Sequence, residues 1–290
     1  LYVWEKQEGI LHENEAAEIL YRISADIHMH GSDIKEGKIE LIADCDGVLK
    51  IRRDALLAVN SLGEMMIASR HGDFPVKKGD KIAGTRIIPL VIEKSKMDKA
   101  EKVAGTKPIF SILPYRSKKV GIITTGSEVQ KGLIKDTFTP VLKEKLDEFS
   151  CQILGQTLPG DERSQITSDI LSFIDQGADM VICSGGMSVD PDDRTPGAIK
   201  DTGAEVVTYG APVLPGAMLL LSYYQNNDKI IPILGLPGCV MYARRTVFDL
   251  ILPRIMADDR ICADEIASYG EGGLCLNCDV CTFPNCGFGK

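Results

Sequence analysis

Residues 178–196 read "ADMVICSGGMSVDPDDRTP". Met180, Val181, Ile182 and Cys183 are apolar at successive positions rather than alternate ones. A strand with one wet face alternates. An unbroken apolar run bounded by Gly is what a strand covered on both faces requires, the central strand of an α/β layer structure. The run ends in Gly185-Gly186, and Asp190, Asp192 and Asp193 follow within a few positions. Gly turns at strand ends suit anions, whereas carboxylates repel them, so the combination calls for a cation between the two.

Outward from this stretch the same pattern recurs. "KKVGIITTG" (118–126) and "KIIPILGLPG" (229–238) are apolar runs that also end in Gly. "QILGQTLPG" (152–160) and "AEVVTYG" (204–210) read as further strands. In "TPVLKEKLDEFS" (139–150) Val141, Leu142, Leu146 and Phe149 have helical spacing, with Pro140 in the first turn. "ERSQITSDILSFIDQG" (162–177) reads as a helix closed by Gly177, and "TPGAIKDTG" (195–203) opens another. "CVMYARRTVFDLILPRIMA" (239–257) reads as one long helix starting at Cys239 and kinked at Pro253. Strands alternating with helices predict an α/β class: a three-layer, doubly wound, mostly parallel sheet over residues 117–257, with its site at the carboxyl ends of the strands.

Residues 1–116 have a different texture. "ENEAAEILYRISADI" (13–27) is helical; "KIELIAD" (38–44), "GVLKIRR" (47–53) and "FPVKKGDKIAGTRIIPLVIEK" (74–94) supply short strands and turns, and "KSKMDKAEKVAG" (94–105) a charged helix or linker. A small α+β domain is expected, with a partial barrel as one form. His28, His30 and His71 lack neighbouring Cys and read as surface histidines.

The chain has 290 residues, a net charge of −8, 44% hydrophobic and 26% charged residues. This is the composition of a globular protein of about two domains. The acidic balance argues against a nucleic-acid partner, which needs a basic stripe. "IIPILGLPGCVMYA" (230–243) is broken by two Pro and two Gly and falls short of the ~18 uninterrupted apolar residues of a membrane span. With no basic leader at the start, the expected compartment is the cytoplasm.

At the rim of the expected sheet, Gly126, Gly185, Gly186 and Gly238 allow close backbone approach, and peptide N–H groups at such turns converge on phosphate. Thr125, Ser127, Ser184 and Ser188 add hydroxyls, and "GLPG" brings Pro237 beside Gly238. One such turn would be an ordinary connection; three of one character make an anion site the better reading. Mg²⁺ held by one or two carboxylates and the ligand's own oxygens would reconcile the acids with the phosphate. Asp190, Asp192 and Asp193 could supply those carboxylates, joined by Asp136 or Glu128. A solvated loop acid or a turn former beside Pro191 is the plainer alternative for Asp190 and Asp192.

Nine Cys are spread unevenly, and four crowd into "CLNCDVCTFPNCGFGK" (275–290). Cys275, Cys278, Cys281 and Cys286 form C-x₂-C-x₂-C-x₄-C inside a linker and Cys-rich tail, 258–290. Without a secretion signal such crowding points to metal before disulfides. Zn²⁺ accepts four thiolates, and the spacing is close to that of iron–sulfur ligands; both stay open. "GEGG" (270–273) before the cluster reads as a flexible hinge. Cys239, at the expected helix start, is expected to be a reactive thiol.

"VGIITTGSEV" (120–129), "CSGGMSVDPDDRTP" (183–196) and "GLPG" (235–238) before a long helix together resemble the molybdopterin-binding domain of the molybdenum-cofactor biosynthesis proteins. The resemblance spans about Lys118 to Met256 and is nearest to the molybdenum-insertion branch, the molybdopterin molybdotransferases; "DDRTP" is similar to the adenylyltransferase branch. It implies a molybdopterin phosphate on the Gly turns with Mg²⁺ assisting. Thr125, Gly126, Ser127, Ser184, Gly185, Gly186, Ser188 and Gly238 would contact the pterin. Asp193 and Asp136 would be the acids of the second and first loops, the candidate catalytic pair. "DTFTP" (136–140) and Cys239-Val240 stand where the insertion branch has other residues. Three functions therefore follow from the resemblance: insertion of molybdate into the pterin, a non-catalytic carrier or metal sensor, and adenylyl-transfer chemistry on a nucleotide ligand. It also implies a homo-oligomer and a molybdoenzyme as acceptor.

Overall fold

The structure, a computed structural model, describes residues 7–187 and 193–290. The chain separates into two compact units, Leu1–Tyr115 and Arg116–Lys290.

The smaller unit contains β1 (Ile10–His12), α1 (Glu13–Ser24), β2 (Met29–Gly31), β3 (Ile39–Ala43), β4 (Gly47–Ile51) and α2 (Arg53–Asn60). It continues with β5 (Met65–Ser69), β6 (Phe74–Val76), β7 (Lys81–Ile87), β8 (Val91–Glu93), α3 (Lys94–Ala104) and β9 (Phe110–Pro114). Its strands fall into separate sheets: β2-β3-β7-β5, β6-β4-β9 and the pair β1-β8. Helix α1 opens with a capping box, in which His12 accepts from the Asn14 N–H and Glu15 accepts from the His12 N–H at 3.0 Å. It buries Ala16, Ala17 and Leu20, of which Ala16 and Leu20 join a core with Leu41, Ile67, Met97 and Phe110. His30 shares a 2.7 Å hydrogen bond with the Asp44 carboxylate at the surface.

The larger unit holds one sheet of six strands: β10 (Lys119–Thr125), β11 (Gln152–Gly160), β12 (Met180–Ser184), β13 (Glu205–Tyr209), β14 (Leu220–Asn226) and β15 (Lys229–Leu236). The order across the sheet is β11-β10-β12-β15-β14-β13. Strands β10, β11, β12 and β15 pair in parallel, and β14 runs antiparallel to both its neighbours. Strand β14 alone is therefore reversed, and the sheet is mostly parallel as expected. It joins β15 through the two-residue turn Asn227-Asp228, where Asn227 has φ 53°.

Helices cover both faces. On one, α6 (Arg163–Asp175) and α7 (Thr195–Asp201) bury Ile166, Ile170, Phe173, Ile174, Ala198 and Ile199 against Ile123, Val181, Cys183 and Ile233. The apolar positions of α6 fall one helical turn apart, so they share a face. Burying each large side chain contributes about 1.5–3 kcal/mol. The helix ends as the sequence predicts: Gly177, at φ +88°, donates to the Ile174 carbonyl at 2.9 Å and Ala178 to that of Phe173 at 2.9 Å. Gly121 of β10 lies beneath Phe173, and a Cβ there would fall 2.4 Å from the Phe173 ring. Side chains alternate along a strand, so Val120, Ile122 and Thr124 point to the opposite face, that of α5 (Phe138–Asp147) and α8 (Val247–Met256).

The segment after "GLPG" differs from the expectation of a single long helix. Gly238–Met241 makes one 3₁₀ turn, and α8 starts only at Val247. The reason is local. Thr246 accepts from the Phe248 N–H and Asp249 from the Thr246 N–H, a capping box that starts the helix there. All ten residues of α8 are buried, including Asp249, which accepts from Lys145 of α5 at 2.6 Å and from Arg245 at 2.8 Å. After α9 (Ala263–Ser268) the chain lies against this unit: Leu214 donates to the Gly273 carbonyl and Cys275 to that of Leu214, both at 2.8 Å. "GEGG" is not a hinge. A side chain at Gly272 would meet the Lys290 carbonyl at 2.1 Å, and one at Gly273 the Pro212 carbonyl at 2.3 Å. These glycines permit close backbone packing. Among the described residues, no helix is long and apolar enough to cross a membrane.

Candidate functional site

Strands β10, β12 and β15 are adjacent and parallel, so Gly126, Gly185-Gly186 and Pro237-Gly238 follow neighbouring strand ends on one rim. This meets the rule that sites in such sheets lie at the carboxyl ends. Ser188, Asp190 and Asp192 lie outside the described residues.

Beneath the Gly pair sits a small hydroxyl network. Thr195 Oγ1 donates to the Gly185 carbonyl at 2.9 Å, and Thr125 Oγ1 lies 3.2 Å from both the Ser184 carbonyl and Thr195 Oγ1, so its single proton serves one or the other. Thr125, Ser184 and Thr195 are buried. They pin the turn from below rather than presenting hydroxyls to solvent. Gly185 and Gly186 have φ of +87° and +55°. A Cβ on Gly185 would lie 2.6 Å from the Thr125 carbonyl, and one on Gly186 would lie 2.8 Å from Thr195 Oγ1. Internal packing thus already demands glycine at both positions. Thr195, supplied by the first turn of α7, is a participant that sequence reading passed over.

At the first turn, Gly126 has φ +124° and begins the short helix α4 (Ser127–Gln130), which lies between β10 and α5. Asp161 accepts from both the N–H (2.8 Å) and the hydroxyl (2.5 Å) of Ser127. Ser127 therefore spends its donors on a carboxylate that the sequence did not single out. Glu128 is exposed, and its carbonyl accepts from Leu133 at 2.9 Å.

Asp136 has a role the sequence reading did not foresee. Its Oδ1 accepts from the backbone N–H of Phe138 (2.9 Å) and Thr139 (3.1 Å), capping α5. Its Oδ2 accepts from Gln156 of β11 at 2.6 Å, and Gln156 also reaches Thr139 (2.8 Å) and Thr124 (3.0 Å). Burial works to raise the carboxyl's pKa. The Thr139 hydroxyl and N–H, the Gln156 amide and the Phe138 N–H outweigh it and hold Asp136 below the usual carboxylate range. Asp193 is half-buried just before α7, and its charge helps burial to raise the Tyr209 phenol on β13.

At the third turn Pro237 is buried and Gly238 exposed. Cys239 belongs to the 3₁₀ turn, not to a helix N-terminus. Burial pushes its thiol up, against the expectation of a reactive group. Cys275, Cys278, Cys281 and Cys286 all line one cavity of about 640 Å³. Among the described residues, no three His, Cys, Asp or Glu side chains are grouped tightly enough for a single metal ion.

Parts of the chain are similar to known proteins. The chain is 28% identical over 236 residues to the molybdopterin molybdenumtransferase of Haemophilus influenzae, covering 78% of this chain and 54% of that protein. It is 25% identical over 193 residues to the molybdopterin molybdenumtransferase of Synechococcus elongatus, covering 64% and 44%. The chain thus spans about half the length of the curated relatives it matches. Among solved structures, the tungsten cofactor synthesizing protein MoaB of Pyrococcus furiosus aligns over 50% of this chain and 99% of its own, at 17% identity and a TM-score of 0.42. Residues 121–257 match the family described as "Probable molybdopterin binding domain". That segment carries all three Gly turns, and it belongs to the molybdopterin-binding domain family of molybdenum cofactor biosynthesis.

Proposed function

We propose that the larger unit takes the phosphate of molybdopterin on the rim of Gly126, Gly185-Gly186 and Pro237-Gly238 and presents the pterin for molybdate insertion. The observation that carries this reading is the adjacency of β10, β12 and β15, which sets three Gly-bearing turns side by side at one edge. Two relatives bear the name molybdopterin molybdenumtransferase, which supports the same substrate. In this reading the chain's work is positioning: the buried Thr125–Thr195 pair fixes the Gly turn, and Gln156 with Asp136 fixes the start of α5 beside it.

The described residues do not fit a Mg²⁺ ion held by Asp136. Both of its oxygens already accept hydrogen bonds, and among the described residues no group of three potential ligands gathers around it or Asp193; Asp190 and Asp192 lie outside them. No step here runs through Mg²⁺. The same engagement of Asp136 favours a second reading, in which the domain binds and hands on the pterin without chemistry.

Mass spectrometry of small molecules that copurify from a molybdenum-replete host tests the binding. A pterin carrying its phosphate is expected, and its absence together with no affinity for added molybdopterin would refute the site. Metal analysis of the pterin after incubation with molybdate separates the two readings. Molybdenum incorporated over many turnovers supports insertion, and tight binding without incorporation supports the carrier.

A further inference from the structure

Cys275, Cys278, Cys281 and Cys286 bear on none of the rim chemistry, yet the tail brings all four to the wall of one cavity of about 640 Å³. We infer that this cavity is a binding site for an iron–sulfur cluster ligated by these four thiolates.

The spacing is the first reason. Two successive C-x₂-C steps hold three sulfurs on one short loop, and Cys286 returns after the turn at Thr282–Asn285, where the Asn285 N–H donates to the Thr282 carbonyl at 2.7 Å. Four-thiolate ligation of this kind holds iron–sulfur clusters.

The second reason is the room between the sulfurs. A single Zn²⁺ binds four thiolates at about 2.3 Å, which forces every sulfur within about 3.8 Å of the others. No such grouping exists among the described residues, whereas all four cysteines lie among the residues lining one volume of about 640 Å³. A cubane cluster attaches each thiolate to a different iron, so it needs the sulfurs spread around a void.

The third reason is that the loop is built onto the unit. Arg244 donates to the Asp279 carbonyl at 2.8 Å, inside the Cys278–Cys281 step. The Arg245 guanidinium lies 5.0 Å over the Phe283 ring, and Phe288 is buried with its ring 6.1 Å from that of Phe283. Lys290 Nζ donates to the Pro284 carbonyl at 2.7 Å. Two guanidinium groups at the cavity wall, Arg244 and Arg245, would offset the negative charge that four thiolates bring, and Phe283 and Phe288 line the same wall.

The test is the full chain purified without oxygen, then reconstituted with ferrous iron and sulfide and desalted. About four iron and about four sulfide per chain are expected, with broad visible absorption that dithionite bleaches. Cys278→Ser and Cys281→Ser remove exposed thiols, so each is expected to keep the wild-type melting behaviour of the apo-protein while losing most of the iron. Cys262→Ser, at an exposed thiol outside the cavity, is expected to retain it. One zinc per chain with no iron taken up, failure to hold iron after reconstitution, or iron retained by both Cys278→Ser and Cys281→Ser would each overturn the proposal.

Discussion

The Gln156 amide donates to Asp136 Oδ2 at 2.6 Å, linking the edge strand of the sheet to the residue that caps α5. The same amide reaches Thr139 and Thr124, so one side chain ties together a strand, a helix start and the Gly126 turn.

Gln156→Leu should therefore destabilise the fold by about 1.5–3 kcal/mol, the range for a hydrogen bond to a charged group. Urea unfolding with an unchanged slope would measure it. A loss below about 0.5 kcal/mol, the scale of an ordinary surface change, would mean the contact is not structural.

Asp136 sets a pH dependence. Its carboxyl titrates lower when folded than when unfolded. Its contribution to stability is complete above the unfolded value near ~3.9 and is lost as pH falls through the folded one. Asp136→Asn should be less stable than wild type at neutral pH, and the gap should close on acidification. Melting curves across that range decide the matter; a gap that stays constant with pH would contradict the capping role.

Gly121→Ala should cost about 1–3 kcal/mol, because the new methyl overlaps the Phe173 ring. Phe173→Leu in the same chain should restore part of the loss, giving a coupling energy above about 0.5 kcal/mol in a double-mutant cycle. Additive effects would show that the strand and α6 can separate locally without strain.

In the metal-free protein Cys239 should alkylate more slowly than Cys278 at neutral pH, since burial raises its thiol while Cys278 is exposed. Peptide mapping after timed treatment with iodoacetamide would show the order, and a faster Cys239 would reverse the assignment.

The layered sheet could be read from β10, β12 and β15 because a strand buried on both faces leaves an unbroken apolar run. Its Gly-bearing ends announced the rim for the same local reason. Residues 211–228 carried no expected element, although they hold β14; its reversed direction is imposed by the Asn227-Asp228 turn, a signal present in the sequence and easily overshadowed by the strand–helix rhythm. Asp161, Gln156 and Thr195 could not be read. Each acts through partners 20 to 70 residues away, a proximity that only the folded chain creates. The start of α8 was misplaced because Pro237-Gly238 resembles a helix entry, while the Thr246 and Asp249 capping box lies later and outcompetes it.

Helix α8 is apolar nearly all round and could in principle slide along its apolar bed. Two charges prevent it. Asp249 is paired with Lys145 and Arg245, and Arg254, only 2% exposed, with Asp259 and Glu265. A shift of one turn, about 5.4 Å, would strand both charges in the interior at once. The ion pairs therefore act less as glue than as an index mark: they select one register for a helix whose hydrophobic surface alone would tolerate several.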